Sequence, residues 1–320
     1  MTSTAAVAAT HDRTVSRALA HRCAVAEVFV TSLDPVGEDS FVVGAQLPRM
    51  HAYYGDHAGT QALRHDPLLV MEAARQAAIA LTHECYGVPV ESAFVVRTFN
   101  GTGSDTDAWT VTTAPADLEM AVRVPRRHRR GEALCGLDMV LEIARAGLPM
   151  LTVDGSFSWT TPAHWSALRT GFRDSLGVGA YTGPSAPGPR AETATVGREN
   201  PRNVVIGPPQ PAGPRGARAA LVADVTHPFL FDHPLDHIPG SLLIEAARQT
   251  ATALTLPGPA KLVCVASTFD RFVELDVPAE CHAEIVDLGR AAEVVRCEIH
   301  QAGEVAARID LEFAEEPSAA

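Results

Sequence analysis

The sequence predicts an α+β protein made of two tandem halves, each pairing one largely buried helix with a long antiparallel sheet. Three observations carry this. The segment Asp66-Pro67-Leu68-Leu69-Val70-Met71-Glu72-Ala73-Ala74-Arg75-Gln76-Ala77-Ala78 is nearly restated by Pro239-Gly240-Ser241-Leu242-Leu243-Ile244-Glu245-Ala246-Ala247-Arg248-Gln249-Thr250-Ala251, and such self-similarity marks a duplicated unit. Leu137, Met139, Leu141 and Ile143 alternate with Asp138, Val140, Glu142 and Ala144, the period of a strand with one buried face. The order strand, loop, helix, strands then recurs, and Glu142-Ile143-Ala144-Arg145-Ala146-Gly147 is matched by Glu298-Ile299-His300-Gln301-Ala302-Gly303. The two glutamates of the helices are 173 positions apart and the hairpin texts 156, so the second half has shorter loops.

Composition bounds the function. A chain of 320 residues with 46% hydrophobic residues holds two ordinary cores. A formal net charge of -12 argues against nucleic acid as the main partner, because phosphate neutralisation needs a basic surface. Lys261 is the only lysine, so arginine abundance by itself carries little weight. The six cysteines contain no Cys-x-x-Cys pair, which gives no indication of a metal site. There is no run of 18 apolar residues and no basic start with an apolar core, so a soluble, cytoplasmic protein without membrane contact is expected.

Taken in order, residues 1–20 are small and polar without a period and read as a mobile leader. The first repeat is assigned to residues 21–170. Ala24 to Ser32 and Ser40 to Leu47 read as strands around a turn at Asp34-Pro35-Val36-Gly37. The loop from Pro48 to His65 gathers Arg49, His51, Tyr53, Tyr54, His57 and His65 near the start of the first helix. That helix is expected to stop before Gly87-Val88-Pro89, with strands following at Ala93–Phe99, Ala108–Thr113, Leu118–Val124, Leu137–Arg145 and Met150–Trp159. Arg123, Arg126, Arg127, Arg129 and Arg130 crowd the expected turn before Leu137; they read either as a solvated basic turn or as a dock for an acidic carrier protein.

Residues 171–218 are dense in Pro, Gly, Ala and Arg and read as a linker, with Asn203–Ile206 a short strand inside it. The second repeat, 219–320, is read as a strand at Ala219–Val225, a His-rich loop, the Pro239 helix, and strands at Leu262–Phe269, Ala279–Leu288, Glu293–His300 and Val305–Phe313.

Each marked helix has chemical content. Asp66 can cap the helix that Pro67 opens. Glu72 then falls in the second turn, roughly 8 to 9 Å from the helix start. Arg75 and Gln76 share its face at i+3 and i+4, as Arg248 and Gln249 do with Glu245. A buried structural Glu–Arg pair and a catalytic pair are both open at this point.

A helix of small and apolar residues beside an alternating antiparallel sheet suits the hotdog arrangement, although periodicity alone leaves other α+β folds open. The text from Pro239 to Ala246 resembles the Pro-Gly-x-Leu-x-x-Glu-Ala signature of hotdog dehydratases, and two such units make a double hotdog. Further motifs are Val43 through Tyr54, His65 through Gln76, Tyr86-Gly87-Val88-Pro89 and Phe231 through Gln249. On these the chain resembles the A-factor biosynthesis hotdog family, which makes γ-butyrolactone, butenolide and furan signals. The family commonly has an aromatic where Leu47 stands.

The resemblance implies acyl transfer from the phosphopantetheine thioester of an acyl carrier protein to the primary hydroxyl of dihydroxyacetone phosphate, with no resident cofactor and no metal. It makes Glu72, Glu245 and Arg248 the expected catalytic residues, and Arg75, Gln76, Gln249, His233, His237, His51 and Arg49 the expected substrate-binding residues. A carboxylate in an apolar helix is expected to have raised proton affinity and to act as a general base. Helix N–H groups would stabilise the oxyanion, and Arg75 or Arg248 would hold phosphate or orient the neighbouring Glu. His233 stands 12 residues before Glu245, two fewer than in the dehydratase pattern, which weighs against dehydration. A hotdog thioesterase or dehydratase, or a non-catalytic acyl- or lactone-binding protein, are the alternatives, and a homodimer is left open.

Overall fold

The computed structural model describes residues 7–57, 63–255, 260–286 and 293–315. Leader residues 1–6, loop residues 58–62 and the last two positions of the strand expected to reach Leu288 lie outside the described residues. The chain divides into two compact units, one of Met1–Tyr54, Leu63–Val96 and Gly101–Thr161, the other of Gly55–Ala62, Arg97–Asn100 and Pro162–Ala320.

The first unit contains β1 (Val30–Gly37), β2 (Ser40–Leu47), α1 (Pro67–Tyr86), β3 (Ala93–Gly103), β4 (Ala116–Arg130), β5 (Ala133–Arg145) and β6 (Leu148–Thr160). Its strands run in the order β1-β2-β4-β5-β6-β3, with β1 to β2, β2 to β4, β4 to β5 and β5 to β6 all antiparallel. Alternation fixes the buried face: Ala116, Leu118, Met120 and Val122 of β4 are buried while Asp117, Glu119, Ala121 and Arg123 are exposed. α1 is buried on nearly every side from Leu68 to His83. Its alanines at 73, 74, 77 and 80 have no exposed surface, so little side chain separates helix from sheet. Asp66 accepts the Leu68 N–H at 2.9 Å, and Gly87 closes the helix at φ 67°, a conformation that favours glycine.

Several expected boundaries move. Asp34-Pro35-Val36-Gly37 is strand, and the turn is at Glu38-Asp39, with Asp39 at φ 57°. β1 is an outer strand of the unit's order, where a proline's missing N–H leaves no ladder bond unmade. The expected strand at Ala108–Thr113 is instead a single 3-10 turn, Asp107–Trp109, whose Ala108 N–H is capped by the Thr106 hydroxyl. The arginine cluster lies within β4 and the turn comes after it, at Gly131 with φ 63°. Arg127 pairs with Asp39 and Glu38, and Arg123 with Glu142.

The second unit contains α2 (Pro162–Ser175), β7 (Gln210–Pro211), β8 (Gly216–Ala220), α3 (Gly240–Thr255), β9 (Ala260–Phe269), β10 (Ala279–Val286), β11 (Glu293–Gln301) and β12 (Glu304–Glu315). The strand order is β9-β12-β11-β10-β8-β7, and α3 lies against β8 through β12. The hairpins β5–β6 and β11–β12 turn through Ala146-Gly147 and Ala302-Gly303, all four at positive φ, as their repeated text requires.

The expected linker at 171–218 is packed structure. Its prolines and glycines prevent long elements, but Ala191, Val196, Arg198, Asn203, Val204, Val205 and Ile206 are all buried. Asn203–Ile206 forms the end of a 3-10 turn, Pro201–Asn203, and a single bridge from Ile206 to Leu221 instead of a strand. Residues 7–20 likewise engage the fold: Ala20 is fully buried and the Val15 N–H donates to the Val30 carbonyl at 2.9 Å. The helix α2 gave no expected signal because its two buried side chains are charged. Arg169 and Arg173 both bond Glu274, itself without exposed surface, and also reach Asp236 and Asp276. No helix among the described residues is long and apolar enough to cross a membrane.

Candidate active site

Both marked helices carry the same centre, each within its own unit. In the first, Glu72 Oε1 accepts from Arg22 Nη2 at 2.6 Å, from Arg75 Nη2 at 2.8 Å and from Gln76 Nε2 at 2.8 Å, while Oε2 accepts from Arg75 Nε at 2.8 Å. In the second, Glu245 Oε1 accepts from Arg198 Nη2 at 2.7 Å and Gln249 Nε2 at 2.6 Å, and Oε2 from Arg248 Nε at 2.9 Å and Nη2 at 2.5 Å. A carboxylate has about four lone-pair positions, so donors occupy the capacity a proton acceptor would need.

The glutamine four residues on ties the centre to the preceding loop. Gln76 donates to the Glu27 carbonyl at 2.8 Å and accepts the Phe29 N–H at 2.9 Å. Gln249 donates to the Asn203 carbonyl at 2.8 Å and accepts the Val205 N–H at 2.9 Å. Each amide group is thereby satisfied in the interior, where an unpaired one would be costly.

Two histidines complete the duplication. His51 Nδ1 accepts the Tyr53 and Tyr54 N–H groups, both at 3.1 Å, so Nε2 carries the proton and donates to Glu27 Oε2 at 2.9 Å. His227 Nδ1 accepts from Phe229 and Leu230 at 3.2 and 3.0 Å, and Nε2 donates to Asn203 Oδ1 at 3.1 Å. Burial, helped by Arg202, pushes His227 down to about 4 from its ordinary 6.5. A depressed histidine stabilises the fold above its unfolded value and loses that contribution as pH falls. Urea unfolding midpoints should therefore decline between pH 6.5 and about 4, and His227→Gln should reduce that decline.

The electrostatics correct one expectation. Burial alone would raise the proton affinity of Glu72, but Arg22 and Arg75, with the bonds from Arg75 and Gln76, outweigh it and hold the carboxyl well below the usual range. Glu72 is thus held as an anion by its arginines. Arg75 and Arg248 spend Nε and Nη2 on their glutamates, which favours orientation over bidentate phosphate binding. The centres differ in access: the Arg75 side chain is 29% exposed and that of Arg248 9%.

The other expected site residues are placed elsewhere. Arg49 is exposed and its Nε donates to the Thr112 carbonyl at 3.0 Å. His233 is half-buried on the loop before α3. His237 packs against Trp165 and Phe272, and its Nδ1 donates to Asp236 Oδ1 at 2.7 Å. Asp236 is held down to about 2 against burial by His237 and Arg169. Among the described residues, no group of three or more His, Cys, Asp or Glu could hold a metal ion.

Sequence reasoning missed Arg22, Arg198, Glu27, Asn203 and His227. A signal existed. Arg22, Glu27, Phe29 and His51 each precede Arg198, Asn203, Val205 and His227 by 176 positions, so extending the helix repeat backwards pairs the two arginines and the two histidines.

A helix-on-sheet unit present twice, each copy with a buried Glu–Arg–Arg–Gln centre, defines a double hotdog protein. The chain belongs to the A-factor biosynthesis hotdog family, whose domain matches residues 3–161 and 185–314. It is 36% identical over 271 residues to the 2-oxo-3-(phosphooxy)propyl 3-oxoalkanoate synthase of Streptomyces virginiae, covering 85% of this chain and 87% of that one. The Streptomyces griseus protein of the same name is 30% identical over 301 residues, with 89% and 91% coverage. Among solved structures, a protein described as an oleoyl thioesterase from Lactobacillus plantarum has a TM-score of 0.55 at 13% identity, covering 89% of this chain and 100% of that one. An isomerase-inactive variant of GphF DH1 has a TM-score of 0.50 at 12% identity, with 92% and 98% coverage. These two likenesses show the fold.

Proposed function

We propose that this chain is an acyltransferase that joins a 3-oxoacyl thioester to dihydroxyacetone phosphate in the biosynthesis of a γ-butyrolactone-type signalling molecule. The observation that carries it is the 36% identity, along 85% of the chain, to a synthase whose name states that ester. The Glu, Arg and Gln of both helices are present here in full.

In this reading the primary hydroxyl oxygen of dihydroxyacetone phosphate attacks the thioester carbonyl carbon. The C–S bond of the tetrahedral intermediate then breaks, and the hydroxyl proton leaves with the thiol. Glu72 holds Arg75 by two of its donors, and the Nη1 edge of Arg75 is the group proposed to meet the oxyanion. Glu245 holds Arg248 in the same way. The larger exposure of Arg75, 29% against 9%, favours the first centre as the reacting one. Gln76, Gln249 and His51 position the segments around the glutamates.

The acyl chain is proposed to arrive on the phosphopantetheine of an acyl carrier protein in the cytoplasm, and no resident cofactor is invoked. Arg126, Arg129 and Arg130 of β4 are exposed, and a basic stretch suits an acidic carrier.

The test mixes purified full-length chain with a 3-oxoacyl thioester and dihydroxyacetone phosphate and reads product mass. The phosphorylated ester, or its cyclised butenolide, is expected. A free 3-oxo acid or a dehydrated acyl chain as the sole product, over several chain lengths, would refute the transfer and point to a thioesterase or dehydratase.

A further inference from the structure

If Arg75 is committed to Glu72, the substrate phosphate needs other donors. Three arginines and a histidine gather in the first unit near the start of α1. Arg145 Nη1 donates to the Ala108 and Thr110 carbonyls at 3.0 and 2.6 Å, and its Nη2 to Thr112 Oγ1 at 3.0 Å. Arg49 Nε donates to the Thr112 carbonyl at 3.0 Å. Arg64 forms a backbone bridge with Thr110, and the His65 N–H donates to the Trp109 carbonyl at 2.8 Å. The Arg145 and Arg49 guanidinium groups and the Arg64 and His65 backbones thus share one short segment, Ala108 to Thr112.

Among the described residues, no carboxylate pairs with any of these three arginines. Arg64 Nη2 and His65 Nε2 are buried and bond nothing, and His65 is only 5% exposed. Burial, with Arg145 beside it, pushes His65 down to about 4. The nearest carboxylate by sequence, Asp66, is turned to the Leu68 N–H as the cap of α1. In a chain of net charge -12, three arginines without a carboxylate partner stand near the start of a 20-residue helix whose cap is Asp66.

We propose that Arg64, His65, Arg145 and Arg49, at the N-terminus of α1, form a binding site for a phosphate ester. Arginine forks match phosphate oxygens in geometry as well as charge, and a helix start adds to the field. The site begins about 9 Å along α1 from Glu72, at ~1.5 Å per residue. Two phosphates come with the proposed reaction, that of dihydroxyacetone phosphate and the phosphodiester of the carrier's phosphopantetheine. The assignment of substrate rests on the transferase reading; the anion site itself does not.

The experiment compares wild-type full-length chain with Arg64→Gln and with Arg49→Gln, the latter at an exposed position. Loss of a charge-assisted bond should raise the KM for dihydroxyacetone phosphate at least about tenfold with kcat changed less than about twofold. Turnover with unphosphorylated dihydroxyacetone should not change. If the KM for carrier-bound acyl thioester rises instead, while that for an acyl N-acetylcysteamine thioester does not, the site holds the carrier phosphate, and the proposal stands. Unchanged KM values for both phosphorylated substrates in both variants would overturn it. If wild type makes no ester, the transferase reading fails separately, and thermal shift with inorganic phosphate decides the site. A rise in Tm for wild type that is lost in Arg64→Gln supports the site, and equal shifts refute it.

Discussion

Glu245→Gln is expected to lower the free energy of unfolding by about 3–5 kcal/mol, because breaking one side of a buried ion pair leaves the other side uncompensated. Here two guanidinium groups would be stranded: the Arg198 and Arg248 side chains are 1% and 9% exposed, around a carboxylate with no exposure. Urea unfolding at neutral pH measures the loss. A companion variant separates stability from chemistry. Replacing Glu245, Arg198 and Arg248 together by Met, Leu and Leu should recover much of the lost stability, since buried ion clusters are often replaceable by apolar packing, while turnover at the Glu72 centre persists. A loss below about 1 kcal/mol in Glu245→Gln, in the range of an exposed pair, would show that the cluster is not buried as described.

The first centre should show itself in acid. The carboxyl of Glu72 is held well below the ordinary glutamate value of 4.5. A depressed carboxylate contributes stability in full above the unfolded pKa and loses it as pH falls toward the folded one. Wild type should therefore lose stability progressively from about pH 5 downward, whereas Glu72→Gln, less stable at pH 7, should show a shallower acid limb. The gap between the two should close as pH drops. Parallel acid limbs would mean that Arg22 and Arg75 do not hold the charge.

The fold was legible because its signals are local and repeated. Alternation marked β5, a Pro with a capping Asp opened α1, and the Ala-Gly turns of both late hairpins stood in the text. The features that escaped are non-local. Arg198 sits in a stretch rich in Pro and Gly, and composition of that kind excludes long helices and strands but says nothing about burial. α2 hides because Arg169 and Arg173 turn inward toward Glu274, against the usual polarity of a helix face. The site was legible at Glu72, Arg75 and Gln76, where spacing alone sets a common face. The proton affinity of Glu72 was misjudged because the second guanidinium comes from Arg22, 50 residues away, and one additional cation reverses the effect of burial on a carboxylate.

Glu72 as an ionised anchor for Arg75 is the claim on which the mechanism turns, and one measurement addresses it directly. Selective 13C labelling of glutamate, with the Glu72 Cδ resonance assigned through Glu72→Gln, allows its titration to be followed in the native protein. The resonance should stay at the carboxylate position throughout the range from about pH 5 to 9, as expected of a carboxyl depressed by two cations. A titration of that resonance near neutral pH would contradict the account and restore Glu72 as the general base.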